Sequence, residues 1–112
     1  MKPKIIRSEN LKEEAYGDTK VTTIINSEEW PLSVAKVRKT GDDIKAGHDP
    51  SDTVYYVLEG EGVCVINGEE HKIKKGDCVV YPKGTKYKHL KGLVLLAISV
   101  PRFSRDKRVY VE

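Results

Sequence analysis

The sequence predicts an all-β protein built as a sandwich or a barrel. Runs of β-branched and aromatic residues recur along the chain, and turn residues separate them every few positions. No stretch has the apolar periodicity of a helix of normal length. We count about ten short strands, a number and spacing that are typical of sandwiches and closed barrels.

The size and charge of the chain limit its organisation and its partners. With 112 residues it is long enough for one domain with its own core. We expect a single domain over 1–112, with a barrel core at about 30–100, an N-terminal arm at 1–18 and a C-terminal edge strand at 101–112. The net charge of +3 is too small to indicate a nucleic-acid partner.

The N-terminal sequence bears on the cellular location. It has no apolar segment of the kind found in signal peptides, and no window approaches the ~20 apolar residues of a membrane span. We therefore expect a cytoplasmic protein without a membrane partner.

The first third of the chain begins with a polar arm. Residues 4–7 are a candidate edge strand, and Ser8 could cap a short turn that Gly17 would end. The segment 20–25 is rich in β-branched residues and is predicted as a strand. Residues 30–38 alternate as a half-buried strand does, with Ser33, Ala35 and Val37 on one face. The sequence predicts a turn at 40–43, and residues 44–46 could form a short extended segment.

The centre of the chain holds the strongest strand and turn patterns. Residues 53–58 and 63–66 are predicted as strands, and the glycine-rich segment 59–62 is predicted to turn the chain over between them. Asn67-Gly68 is the best hairpin indicator, because both residues tolerate a positive φ. Residues 70–74 form the returning strand.

The remaining strands are predicted at 78–81, 87–90 and 93–100, with the tail at 108–111 laid back on an edge. Pro82-Lys83-Gly84 is a rigid turn between the first two. The two cysteines, Cys64 and Cys78, lie in apolar runs and form no CxxC pair. We predict that both are reduced thiols in the core, since cysteine is among the most buried residue types.

One stretch resembles the conserved core of the cupin superfamily: YVLEGEGVCVINGEEHKIKKGDCVVYPKGTKYKHL. Gly76, followed by DCVVY and Pro82-Lys83-Gly84, has the frame of the second cupin motif, and Gly60 matches the end of the first. The resemblance implies a double-stranded β-helix, or jelly-roll barrel, that binds a small molecule. It also implies a homodimer, and a C-terminal edge strand would suit strand exchange between its subunits.

The resemblance also implies metal-binding positions, most of which hold other residues here. Cupins bind a metal through several histidines and one glutamate, but the glutamate position is Thr53, the first histidine position is Ala46 and the histidine of the second motif is Tyr87. Among the customary ligands only His48 is in register.

Substitute ligands lie close to these positions in the sequence. His89 follows Tyr87 by two residues and shares its strand face, and Asp52 or Asp49 could provide a carboxylate after His48. The resemblance then implies a divalent transition metal (Fe, Mn, Ni or Zn) held by His48, Asp52 and His89. The alternative is a degenerate cupin site without metal.

Other residues are candidates for ligand contact or for chemistry. Tyr55 and Tyr87 should face the barrel interior together with Thr53, and a phenol can act as a general acid or base. Arg38 could offer a guanidinium fork to a carboxylate or phosphate. The lysines of 72–91 are interpreted as a solvated face.

Two functions remain open from the sequence. One is an enzyme of oxygenase, isomerase or lyase type that uses a divalent metal on a small polar or anionic substrate. The other is a metal-free ligand-binding or sensing module, or a cupin whose catalysis rests on tyrosines and acids. The loss of the histidine pair and the glutamate favours the second, whereas His48 and His89 keep the first open.

Overall fold

The computed structural model describes residues 2–43 and 45–111, and of residues 105 and 111 the backbone only. Within these residues the regular structure is β, apart from short 3₁₀ turns at Ser8–Asn10 and Arg105–Lys107. The ten strands are β1 Glu14–Tyr16, β2 Thr19–Ile25, β3 Ser33–Lys39, β4 Ala46–His48, β5 Asp52–Ile66, β6 Glu69–Lys74, β7 Cys78–Tyr81, β8 Tyr87–His89, β9 Leu93–Val100 and β10 Val109–Val111.

The strands form two antiparallel sheets that share the long strand β5. In the first sheet the order is β1-β2-β3-β9-β5, and β7 pairs with the other edge of β5. In the second sheet the C-terminal half of β5 pairs with β6 and β8, and β8 continues through β4 to β10. Joined through β5, the two sheets curl into a jelly-roll barrel, as the sequence predicted.

The predicted turn at 59–62 is wrong, because β5 runs unbroken through it. The register against β9 shifts between Val57 and Glu59, which marks a bulge, and a bulge bends a strand without reversing it. Gly60 lies just after the shift with a φ of 82°. A Cβ at Gly60 would lie 2.0 Å from the Gly92 carbonyl oxygen, so only glycine allows this close approach.

The other turns and strands follow the sequence more closely. Asn67 and Gly68 both have positive φ and connect β5 to β6 as a hairpin. The tail strand β10 pairs with β4, on an edge as expected. The edge strand predicted at 4–7 is wrong: this segment has no ladder partner, because β1 occupies the free edge of β2. Of the brief extension at 44–46, position 44 lies outside the described residues.

Inward-facing side chains divide the barrel into a packed end and an open end. The packed end holds the fully apolar cluster of Val57, Cys64, Ile73, Leu93 and Leu95. Cys64 is buried as predicted, but Cys78 is exposed, because its position on β7 points to the outer face of the sheet. Among the described residues, no helix has the length and apolar character needed to cross a membrane.

Candidate functional site

The open end of the barrel holds a cavity of about 1220 Å³ that is half open to solvent. Its wall comes from the inward-facing residues of β2, β3, β5, β8 and β9, and from the C-terminal segment that crosses the barrel mouth. Ala35, Ala97 and Ser99 are small residues on this wall. Their size leaves the space that the large apolar side chains fill at the packed end.

Two tyrosines meet on the cavity wall. Tyr55 on β5 and Tyr87 on β8 face each other with their hydroxyl oxygens 3.1 Å apart. Their rings lie edge to face, with centroids 5.7 Å apart. Both side chains line the cavity, and Tyr55 is the more exposed of the two.

An ion pair lies directly behind the Tyr87 hydroxyl. Arg108 Nη1 donates to the Tyr87 oxygen and to Asp49 Oδ2, at 3.1 Å in each case. The Tyr87 hydroxyl in turn donates to the same Asp49 oxygen at 3.4 Å. The Asp49 carboxylate is almost fully buried and also accepts the backbone N–H of Ser51 at 3.1 Å. The ion pair is thus built into the wall.

His89 lies one inward step further along β8 and is 3% exposed. Its Nε2 is 3.0 Å from the Tyr81 hydroxyl oxygen. Tyr81 stacks on Tyr87 with ring centroids 3.9 Å apart, and the His89 ring meets Tyr55 edge to face at 4.6 Å. The four rings form one rigid aromatic wall.

A second ion pair lies at the end of β3, in the other sheet. The ammonium group of Lys39, at the end of β3, is buried and contacts Asp43 and the Thr19 hydroxyl. The other Asp43 oxygen accepts the backbone N–H of His89 at 2.9 Å. Asp43 therefore joins the two strands that flank this end of the cavity.

Burial controls the protonation of these groups. It raises the pKa of Tyr55 well above its ordinary value, and the Tyr87 hydroxyl adds to that rise. Burial also raises the pKa of Tyr87, but Arg108 and the hydrogen bond from Tyr55 work against the rise. For His89, burial lowers the pKa to about 4; Asp43 opposes this effect, and Lys39 and Arg108 add to it. At neutral pH the wall presents protonated phenols and a neutral imidazole.

Comparison with known proteins identifies the family. Residues 35–91 match the Cupin domain family. The chain is a cupin. An uncharacterized protein of Aquifex aeolicus is 33% identical over 115 residues, which cover 98% of this chain and 95% of that protein.

Solved structures have the same fold at lower identity. Streptomyces Pac13, described as a nucleoside dehydratase, is 18% identical with a TM-score of 0.86, over 99% of this chain and 92% of its own. Variants of that protein have been solved with uridine. KdgF from Halomonas is 15% identical with a TM-score of 0.78, over 92% of this chain and 97% of its own.

The three metal ligands that the sequence suggested do not meet in this cupin. His89 faces the cavity, but His48 lies in a separate shallow depression beside Lys83 and Lys107. Asp52 is exposed, and its carboxylate accepts the backbone N–H of Lys83 at 2.8 Å. Strand parity is the reason: Gly47 and Thr53 are the inward positions, so the residues next to them point away from the cavity.

The carboxylates on the cavity wall and behind it do not fit a divalent metal either. Such an ion needs several free oxygen or nitrogen lone pairs, but the Asp43 carboxylate is engaged by Lys39 and the Asp49 carboxylate by Arg108. Within residues 2–43 and 45–111, no group of three or more histidine, cysteine or carboxylate side chains could hold a metal ion. The buried cations of Lys39 and Arg108 thus occupy the carboxylates that a metal would need as ligands.

Arg38 and Thr53 were expected to contact the ligand, but the structure places neither on the cavity wall. Arg38 is exposed on the outer face of β3 and pairs with Glu13, with Nη2 and Oε1 2.7 Å apart. Lys36 and Arg38 are the exposed positions in the C-terminal half of β3, so Arg38 faces outward. Thr53 is buried, and its hydroxyl lies 3.0 Å from that of Ser99, which does line the cavity.

The sequence did not single out three side chains of this site. Lys39 could have been found by extending the alternation of Ser33, Ala35 and Val37 by one step. Tyr81 could have been found in the same way, because it has the inward parity in the short strand β7. Arg108 had no sequence indicator, because its place depends on the pairing of β10 with β4.

Proposed function

We propose that this cupin is a metal-independent acid–base enzyme of the lyase type, acting on a small polar molecule in the barrel cavity. Tyr55 and Tyr87 are the proton-transfer pair. The observation that carries the proposal is the contact of their hydroxyls, 3.1 Å apart, at the polar end of a cavity of about 1220 Å³. A cavity of this size accommodates a ligand as large as a nucleoside.

The protonation of the wall supports acid–base chemistry. Phenols that stay protonated at neutral pH can donate a proton or a hydrogen bond to a ligand oxygen, and a neutral imidazole can accept one. Tyr81 and His89 fix the positions of both phenol rings by stacking and edge contacts. A rigid wall lowers the cost of placing these groups against the reacting atoms.

The charge balance of the cavity favours a substrate that is polar but uncharged at this end. Each buried cation already has a carboxylate partner, Asp43 for Lys39 and Asp49 for Arg108. An anionic ligand group would have to compete with these carboxylates. A hydroxylated molecule such as a nucleoside or sugar needs only hydrogen bonds. The likeness in fold to a nucleoside dehydratase makes loss of water from such a molecule the first reaction to test.

The test combines binding, turnover and metal dependence. Chelator-treated protein is titrated with uridine, related nucleosides and neutral sugars by calorimetry, and binding compounds are incubated and analysed by mass spectrometry for loss of water. We expect saturable binding and turnover that a chelator does not inhibit. Tyr55→Phe should keep binding and lower turnover by about 100-fold, the usual contribution of a general acid or base.

Two controls locate the activity. Ala35→Trp fills the cavity from β3 and should abolish binding, whereas Lys74→Met changes a charge on the exposed strand β6 and should alter nothing. Turnover that requires an added divalent metal would contradict the proposal. Binding without turnover of any compound would instead favour the ligand-binding or sensing module.

A further inference from the structure

The hydrogen bonds around Tyr87 have a direction. Its oxygen accepts from Arg108 Nη1, and Asp49 Oδ2, which can only accept, lies 3.4 Å from the same hydroxyl. A phenol has one hydrogen to give. Across the 3.1 Å contact of the two phenols either hydroxyl could donate. When the Tyr87 hydrogen goes to Asp49, the hydrogen between the phenols comes from Tyr55. The hydrogen bonds then run from Tyr55 to Tyr87 and from Tyr87 to Asp49.

We infer that Tyr55, Tyr87 and Asp49 form a directed proton relay, positioned by Arg108, that takes a proton from the ligand at Tyr55 and ends at the Asp49 carboxylate. The inference rests on the proposed function and deepens it, because it assigns the direction of proton transfer and adds two groups to the phenol pair. Tyr55 is the entry because it lines the cavity and is the more exposed of the two phenols.

The transfer balances without a co-reactant. A proton leaves the ligand, whose bonding electron pair stays on the ligand, and binds the Tyr55 oxygen. The Tyr55 proton passes to the Tyr87 oxygen, and the Tyr87 proton passes to Asp49 Oδ2. The carboxylate becomes a carboxylic acid while Arg108 keeps its charge. The array therefore acts as a base in this direction and as an acid when the same steps run backward.

Arg108 is a positioning residue, because it acts through Tyr87 and Asp49. One nitrogen bridges both oxygens at 3.1 Å, and its guanidinium lies over the Tyr87 ring at 4.7 Å and the Tyr110 ring at 5.2 Å. The side chain is only 10% exposed. Bonds from one rigid, planar donor fix the distance between two acceptors better than a flexible ammonium would.

The fold makes room for this arginine on the neighbouring strand. Gly47 of β4 pairs with both Tyr87 and Tyr110. A Cβ at Gly47 would lie 2.8 Å from Arg108 Nη2. The missing side chain on β4 and the pairing of β10 with that strand together let the C-terminal segment insert Arg108 behind the phenol pair.

The first experiment needs no substrate. A neutron crystal structure of deuterated protein shows where each hydroxyl deuterium lies. We expect the Tyr55 deuterium to point to Tyr87 and the Tyr87 deuterium to point to Asp49. A Tyr87 deuterium directed at Tyr55 would overturn the relay, and it would leave the proposed metal-free chemistry of the phenol pair untouched.

The second experiment measures the relay at work, on a compound turned over in the test of the proposed function. Asp49→Asn and Tyr87→Phe should each lower kcat by about 100-fold with little change in KM, and the double variant should be no worse than either one. Losses in kcat that multiply would mean independent roles and would overturn the relay.

Arg108→Lys tests the positioning role with the charge retained. We expect the proton arrangement in the neutron structure to be disturbed and kcat to fall about 10-fold, because an ammonium cannot hold both oxygens in the same geometry. Lys72→Met removes a charge from the exposed strand β6 and serves as the control. An Arg108→Lys variant with unchanged kcat and unchanged proton positions would contradict the positioning role.

Discussion

The two ends of the barrel use the same strands for opposite purposes. On β9, Leu93 and Leu95 face the packed end and are fully buried, whereas Ala97 and Ser99 face the cavity. On β5, Val57 lies in the packed cluster, and Tyr55 lies on the cavity wall. The inward parity is constant along β9 and along β5 from Thr53 to Val57, on the N-terminal side of the bulge. Side-chain size and polarity alone decide whether a stretch of barrel becomes core or site.

The comparison also shows how the two ends keep their structure. At the packed end, stability comes from apolar burial and close packing. At the open end, small residues create the cavity, and the large polar residues that remain are held by hydrogen bonds and ring contacts with one another. Buried polar groups are costly unless they are paired. The site is therefore a connected network, and we expect its parts to respond together.

The largest effect should come from the packed end. Leu95→Ala should lower the free energy of unfolding by about 3 kcal/mol, because it removes a fully buried side chain and leaves a void. Ala97→Leu on the same strand projects into the cavity and should change stability by less than about 1 kcal/mol while blocking ligand binding. Chemical denaturation of both variants checks the contrast. Equal destabilisation would break the division into two ends.

The next effect is the pH dependence of the open end. His89 has a folded-state pKa of about 4, below the value of an unfolded histidine. Its contribution to the free energy of unfolding is therefore fully present above about pH 6.5 and is lost as the pH falls towards 4. The loss amounts to on the order of 3 kcal/mol. The measurement is urea denaturation between these two pH values. His89→Gln should show a flatter profile, and His71→Gln, exposed on β6, should behave as wild type. A wild-type profile in His89→Gln would exclude this assignment.

A smaller effect is expected at the outer edge of the open end, beyond Tyr55 on β5. Thr53→Val removes the buried hydrogen bond to Ser99 but keeps the shape of the side chain, so the free energy of unfolding should fall by about 1 kcal/mol. Because Ser99 lines the cavity, ligand affinity should change as well. Thermal unfolding and calorimetry measure the two quantities. A change of stability with unaltered affinity would place Thr53 with the core and apart from the site.

The smallest effect is expected outside both ends. Arg38→Ala should change neither the melting temperature nor ligand affinity measurably, because the side chain and its partner Glu13 are solvent-exposed on the outer face. Differential scanning fluorimetry and calorimetry suffice for this variant. A clear loss of ligand affinity would restore the role that the sequence suggested for this arginine.

The sequence by itself determined the strands, most turns and the inward parity of the site. β-Branched alternation and glycine positions specify these features locally, and the same parity predicted that Tyr55 and Tyr87 share a face. Local patterns failed at Glu59–Gly62 because glycines serve bulges as well as reversals. They failed at His48 and Asp52 because a shift of one position moves a side chain to the other face.

Only the tertiary structure decided the chemistry. Asp49, Tyr87 and Arg108 are far apart in sequence, and they meet because β8, β4 and β10 are neighbours in one sheet. The engagement of both carboxylates by buried cations depends on the same long-range pairing. Hydrogen bonds and ion pairs act over a few ångströms in space whatever the separation in sequence, so strand patterns could name the candidates but not the partners that define their roles.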